Sequence, residues 1–478
     1  RQQHLCVVTA TLKEAEQLAG VVGFFLGNRT ADLHLFPPYK ILPHKMLGYH
    51  SQTAARRIGT LFTLTESRAP FLLITCVDAL LQRLAPKDEL NGFAELVMAD
   101  EETDRDQLIE KLISGGYTHA ALVEEPGDFC VRGGIIDLFS PLYPEPLRLE
   151  WFGDTIDAIR TFSPDNQRKT GELPEAIILS AREVILKKET LPDVMSRIRA
   201  RALEQGLGGS KSREIIDRLR SEGLFPGIEG LLPLIFPRLD ALFDYLPATT
   251  LYILDAIPGL AASAAKFTER VAENYRGALQ NERVCVPPDS LYFTWGALWS
   301  QIAPTGPLVL DAFDMLRDPG GGTPLPVPVA LQFAVEDNLD VSRELEKGLD
   351  TDHLFQPLAD WLERAQERNC TPVIVCRTES QARRVEALLR HYQITVHFTH
   401  QMPSPGSGSQ RVYGCIGPLD KGFVWTAEHL ALITAQEIFG KSKRRRTRRV
   451  KKSPAALLTF EDLKQADLVV HAQHGIGR

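Results

Sequence analysis

The alternation of short apolar runs with helical-period segments constrains this chain most, because strands separated by covering helices fold into a parallel sheet buried on both faces. Leu5 to Thr9 is an apolar run. The helix after it carries Leu12, Ala15, Leu18, Val22 and Phe25 at helical spacing and stops at Gly27. Leu33 to Phe36, the helical stretch Gln52 to Glu66 and the run Phe71 to Cys76 continue the rhythm. It breaks near residue 100. There a capping box at Asp104 and Gln107 opens one helix that ends at Gly115-Gly116, and then strand follows strand. The expected strands are Ala120 to Glu124, Phe129 to Arg132, Ile135 to Phe139, Leu147 to Phe152 and Ile156 to Phe162. Helical α/β texture returns from about residue 188. The expected fold class is therefore a multidomain α/β chain, with a small, mainly antiparallel α+β domain inserted into a parallel-sheet module.

Further along, Thr250 to Asp255 reads as a buried strand, and the turn-rich run Pro319 to Pro328 marks a boundary. A second small α/β unit is expected from about His353 to Gly440. No repeat of fixed period is present.

Composition removes whole classes of function. With 44% hydrophobic, 24% charged and 8% aromatic residues, the chain is ordinary globular protein. It contains neither an 18-residue apolar run nor a signal-peptide layout. Its first residue is Arg1 and not Met, so it is expected to be a piece of a longer polypeptide. The seven cysteines are scattered without CxxC pairs, which predicts reduced, buried thiols. The only dense histidine group, His391, His397 and His400, lacks partners at ligand spacing, so no metal site is expected.

Formal charge is −7, but Lys441 to Lys452 (KSKRRRTRRVKK) holds nine basic residues and no acid. Without them the chain is strongly acidic, a poor general nucleic-acid surface carrying one basic ribbon. The ribbon reads as a solvated linker, a localisation signal or a DNA contact. For the last, the candidate residues are Lys443, Arg444, Arg445, Arg446, Arg448 and Arg449.

No complete phosphate loop is found. The nearest match, Ala435 to Ser442, has Ala435 in place of the first glycine and leads into the basic run. The strand ending at Asp255 could hold magnesium in an ATPase, but Ala256 stands where the catalytic acid would follow. No catalytic residue and no cofactor are therefore assigned to this chain.

On the strand Leu147 to Phe152, alternation puts Leu147, Leu149 and Trp151 on one face and Arg148, Glu150 and Phe152 on the other. An arginine beside an aromatic is typical of a binding hot spot for an acidic partner. The competing reading is a cross-strand salt bridge beside a second small core. Arg132, on a neighbouring strand, could share the face. Because neither Arg148 nor Phe152 faces the Leu147 core, replacing both is expected to leave the domain folded.

Gly127 to Phe139 (GDFCVRGGIIDLF) and Leu147 to Phe162 (LRLEWFGDTIDAIRTF), followed by Gln167-Arg168, resemble the UvrA-binding domain of UvrB. They are closer still to that module in the bacterial transcription-repair coupling factor (Mfd) family. Gly417 to Val424, Leu432 to Gly440 and Ala466 to Arg478 resemble stretches of the same family that UvrB lacks. The resemblance extends over essentially the whole chain.

It implies a degenerate UvrB/helicase-like module in residues 1–97 (domain 1A) and 188–325 (domain 1B), with the UvrA-binding domain, 98–187, inserted. A linker at 326–350, a small α/β domain at 351–440, a basic linker at 441–456 and the beginning of an RNA-polymerase-interacting domain at 457–478 would follow. The segment Pro37 to Ser51 is too short for the damage-probing hairpin of UvrB. In the family, UvrA is contacted through two arginines and an aromatic, matched here by Arg132, Arg148 and Phe152.

The resemblance further implies a cytoplasmic protein whose partners are UvrA, RNA polymerase and DNA. ATP and magnesium would belong to a translocase motor outside this chain. The rival from the enzyme class is a UvrB-like ATPase that loads onto damaged DNA, which ATP turnover by this chain would favour. A plain DNA-binding module using the basic ribbon is a third reading, which salt-dependent duplex binding lost on neutralising Arg444 to Arg449 would support.

Overall fold

The computed structural model describes residues 3–27, 32–45, 47–310, 333–347, 355–399, 401–403, 411–440, 469–471 and 475–477. The chain divides into two compact units, Arg1–Gln332 and Phe333–Arg478.

The first unit opens with β1 (Leu5–Thr9), α1 (Leu12–Leu26), β2 (Leu33–Phe36), α2 (Ser51–Glu66), β3 (Leu72–Cys76), α3 (Val77–Leu80) and α4 (Lys87–Phe93). Next come β4 (Glu95–Met98), α5 (Arg105–Ser114), β5 (Thr118–His119), β6 (Asp128–Arg132), β7 (Ile135–Leu138), β8 (Leu147–Phe152), β9 (Thr155–Phe162), β10 (Lys169–Leu173) and β11 (Glu175–Ile178). The unit continues through α6 (Leu191–Glu204), α7 (Gly209–Glu222), α8 (Leu232–Ile235), β12 (Leu251–Asp255), α9 (Ile257–Gln280), α10 (Trp295–Ile302) and β13 (Leu308–Leu310).

Strands from both ends of this unit share one parallel sheet, ordered β13-β12-β1-β3-β2. Since β1 pairs with β3 on one side and with β12 on the other, the residues between them interrupt a single module. The interruption leaves and returns side by side: β4 pairs antiparallel with β11, Glu95 opposite Ile178 and Met98 opposite Glu175.

Between these two strands lies a six-stranded sheet ordered β10-β9-β8-β7-β6-β5, antiparallel except for β5 with β6. The mainly antiparallel insertion expected from sequence is therefore present. The run Ala120 to Glu124, however, is not a strand, and Thr118–His119 pairs with β6 in its place. Helix α5 starts as expected, with the Asp104 side chain accepting from the Gln107 amide at 3.0 Å, and ends at Gly115. Its Leu108 and Leu112 cover one sheet face, packing with Phe129, Ile136, Leu138, Leu147, Leu149, Ile156 and Ile159.

The root of the insertion is fastened by a buried ion pair. Arg57 on α2 is 1% exposed and meets Glu183 at 2.6 Å. It also donates to the Pro37 carbonyl at 2.8 Å and to Gln82 at 2.9 Å, and its guanidinium lies over the rings of Phe36 and Tyr39. The Tyr39 hydroxyl donates to the same Glu183 oxygen at 2.9 Å. Burial by itself would lower the Arg57 pKa, but the Glu183 carboxylate together with Tyr39 and Tyr49 offsets it and the net shift is upward.

The second unit contains β14 (Glu336–Asp337), α11 (Leu339–Lys347), α12 (Gln356–Glu367), β15 (Thr371–Cys376), α13 (Glu379–Arg390), β16 (Val396–Thr399), β17 (Val412–Ile416), β18 (Phe423–Trp425), β19 (Leu430–Thr434) and α14 (Ala435–Phe439). Its mixed sheet is ordered β14-β18-β19-β15-β17-β16. One expectation is corrected here: residues 336–347, placed in a linker at 326–350, belong to this unit. Strand β14 pairs with β18, and Val341 and Leu345 of α11 are buried in the unit's core. Short strands β20 (Val469–His471) and β21 (Gly475–Gly477) pair antiparallel.

Removing one member of a fully buried ion pair strands the other charge, at a cost of about 3–5 kcal/mol. Arg57→Met should therefore lower the urea midpoint of the first unit sharply. Adding Glu183→Gln should recover part of the loss, and equal, additive losses from the two substitutions would contradict this account.

Candidate protein-binding face of the inserted domain

Strand β8 alternates as its sequence indicates. Leu147 and Leu149 are fully buried against α5, and Trp151 packs on the same side, donating its indole N–H to the Thr103 carbonyl at 3.1 Å. Arg148, Glu150 and Phe152 therefore face away. Register then aligns a row of side chains across four strands: Cys130 of β6 lies opposite Asp137 of β7, Asp137 opposite Arg148, and Arg148 opposite Arg160 of β9.

At the centre of that row Asp137 is 0% exposed. Its Oδ1 accepts from Arg148 Nε at 2.7 Å and its Oδ2 from Arg148 Nη2 at 3.0 Å. Arg132 Nη2 donates to the same Oδ2. The two sequence-predicted arginines, on strands separated by β7, are thus brought together on one carboxylate. Hydrogen bonding to Asp137 raises the Arg148 pKa further, so its charge is fixed. The Arg148 guanidinium also lies 4.7 Å from the centroid of the Phe162 ring. Phe162 belongs to a small second core with Val123, Cys130 and Phe139.

The salt bridge and second core of the competing reading are therefore present, and they sit beneath exposed arginine edges. Arg160 and Glu150 form a neighbouring ion pair. With Arg132, Arg148 and Asp137, this cluster sets three guanidiniums against two carboxylates.

Phe152 stands apart, 83% exposed. It closes β8 immediately before the turn at Gly153, whose φ of +65° suits glycine. Arg132 likewise closes β6 before Gly133, at φ +59°. Since β6 and β8 both run antiparallel to β7, the two turns lie at the same end of the sheet.

Asp137 was not singled out from sequence. The available signal was a lone acid inside the apolar run Ile135 to Phe139, where a carboxylate is tolerated only if paired. Its partner could not be read, because Asp137 meets Arg148 through a register that no local spacing sets. The candidate DNA-contact residues Lys443, Arg444, Arg445, Arg446, Arg448 and Arg449 lie outside the described residues, as does His400 of the histidine group.

At the carboxyl ends of the parallel strands, the N-terminus of α1 is closed by its own capping box. The Glu14 amide donates to Thr11 Oγ1 at 3.3 Å, and the Thr11 amide donates to Glu14 Oε2 at 2.9 Å. Asp255 at the end of β12 has its pKa raised by burial and by Glu14. Ala256 follows with φ +45° as the N-cap of α9. Among the described residues, no group of three or more His, Cys, Asp or Glu side chains could hold a metal ion. All seven cysteines are free and buried, and burial pushes the Cys6 and Cys76 thiols up to about 12. No helix among the described residues is long and apolar enough to cross a membrane.

The inserted domain, over residues 97–183, matches the family model described as the UvrB interaction domain. The class is thus a multidomain α/β chain carrying that module. Over nearly its whole length the chain is a homologue of transcription-repair-coupling factors. It is 34% identical to that of Myxococcus xanthus over 99% of the chain, 28% to that of Escherichia coli over 92%, and 24% to that of Bacillus subtilis over 99%. It spans about two-fifths of the length of these curated relatives, covering 40%, 37% and 39% of them respectively. The region matched is N-terminal.

Arg148 and Phe152, whose joint replacement is expected to leave the domain folded, differ in what each contributes to stability. Leaving a buried acceptor under-satisfied costs about 1–3 kcal/mol. Arg148→Ala, which leaves Asp137 with Arg132 alone, should lower the urea midpoint of the inserted domain by that order. Phe152→Ala should change stability by less than about 0.5 kcal/mol, as for other exposed positions. Equal losses in the two variants would mean that Phe152 packs in a way its exposure does not indicate.

Proposed function

We propose that this chain is the recruitment region of a transcription-repair coupling factor and that the face bearing Arg132, Arg148 and Phe152 binds UvrA. The observation that carries this reading is the convergence of the two arginines on Asp137, in a sheet that also leaves the aromatic Phe152 83% exposed, inside the segment that matches the UvrB interaction domain. A phenylalanine exposed to that degree, at the same end of the sheet as Arg132, is the composition of an interface hot spot. An acidic partner surface suits the cluster of three guanidiniums and two carboxylates.

On this reading the whole protein removes RNA polymerase stalled at a DNA lesion, using an ATP-driven translocase motor that this chain does not include, and hands the site to excision repair through UvrA. This chain contributes recruitment and no catalysis of its own. RNA polymerase is contacted through the domain that begins near residue 457, DNA mainly through the motor, and the setting is the cytoplasm. The parallel module is placed at 1–97 and 188–325 and the insertion at 98–187, a division supported by the pairing of β1 with both β3 and β12 and of β4 with β11. The self-capped α1 terminus and the Asp255-Ala256 pair support a module without its own nucleotide chemistry.

Titration of purified UvrA with this chain tests the reading. Binding is expected, and Arg132→Ala with Phe152→Ala should weaken it by about a hundredfold or more, taking roughly 2 kcal/mol for each hot-spot side chain. A folded double variant that binds UvrA as tightly as the parent would place the contact elsewhere.

A further inference from the structure

We propose that Asp137, seconded by Phe162, is a positioning residue for partner binding: it fixes the plane of Arg148 and the head of Arg132 so that their remaining N–H groups meet a carboxylate of the partner. The inference rests on the UvrA reading and goes beyond it, since Asp137 is itself fully buried and cannot touch a partner.

Arg148 is held along one edge by the Asp137 carboxylate, through Nε and Nη2, and on one face by the Phe162 ring. Among the described residues no hydrogen bond engages its Nη1, and its side chain is 23% exposed, so the free edge is the one that reaches solvent. Arg132 is anchored only through Nη2 and is 47% exposed. An arginine fork recognises a carboxylate in a planar, bidentate way, so its orientation decides the strength of the contact. A side chain already ordered before binding loses less freedom on association. One buried carboxylate shared by two arginines meets both needs, because it orders two guanidiniums while cancelling only one of their charges.

The test uses the full 478-residue chain and purified UvrA, measuring both affinity and unfolding. Asp137→Asn keeps the shape and one acceptor while removing the charge. It should weaken UvrA binding about tenfold or more in the folded chain, mostly through faster dissociation. In a background carrying both Arg132→Ala and Arg148→Ala the same substitution should change affinity less than about threefold, because both groups it positions are gone.

Phe162→Leu removes no exposed group and should also weaken binding several-fold. It decides the matter if Asp137→Asn fails to fold. Asp137→Asn with lowered stability but parental affinity, or a loss that adds independently to that of the double arginine variant, would overturn the proposal, as would parental affinity in Phe162→Leu. Arg132→Ala and Phe152→Ala serve as controls. If neither alters UvrA binding, the UvrA reading itself has failed; if they do and Asp137→Asn does not, only the positioning role has.

Discussion

A carboxylate with no exposure to water must be neutralised where it sits, and in the inserted domain this requirement falls on Asp137 in the middle of β7. Two arginines, one from each flanking strand, meet it. Their stems are drawn across the sheet face and their charged heads are fixed near its surface. The same ion pairs that keep a buried charge tolerable thus bring the two arginines together. Arg132 and Arg148, proposed as binding residues, also satisfy the interior. Phe152 differs in kind: nothing in the domain requires it, and its ring is left in solvent.

The scaffold presents this face by a second buried pair. The insertion leaves through β4 and returns through β11, its paired neighbour. Five residues beyond β11, Glu183 docks into Arg57 of the parallel module. Two further contacts tie the insertion to α2: Ser51 donates to Glu125 at 2.7 Å, and a Cβ on Gly59 would come within 2.9 Å of the Pro141 carbonyl oxygen. The module interrupted by the insertion remains one sheet because β1 bridges its two halves. The division of labour is physical: the module anchors the insertion through Arg57, and the inserted sheet carries the face.

Local pattern made much of this legible. The faces of β8 follow directly from Leu147-Arg148-Leu149-Glu150-Trp151-Phe152, because β periodicity is a property of a single strand. The strand–helix rhythm of residues 5–76 gave the parallel sheet for the same reason. Pairing was not legible. On β9 the register shifts between Glu150 and Trp151 of its partner, so that Ile156 and Ile159 both reach the core, which strict alternation forbids. The meeting of Asp137 with Arg148 depends on how β7 and β8 align across an eight-residue connection. Likewise Glu336–Lys347 looked like linker because its strand is only two residues long and finds its partner, β18, some ninety residues later.

The most direct test of the central claim is the hydrogen-exchange footprint of UvrA on this chain. Protection is predicted to concentrate on the turn-bearing ends of β6, β7, β8 and β9, around Arg132 to Ile135 and Glu150 to Thr155, with the α5 side of the domain and the second unit unchanged. A footprint on α5, on the parallel module or on the second unit, with those turns exchanging as in the free chain, would contradict it.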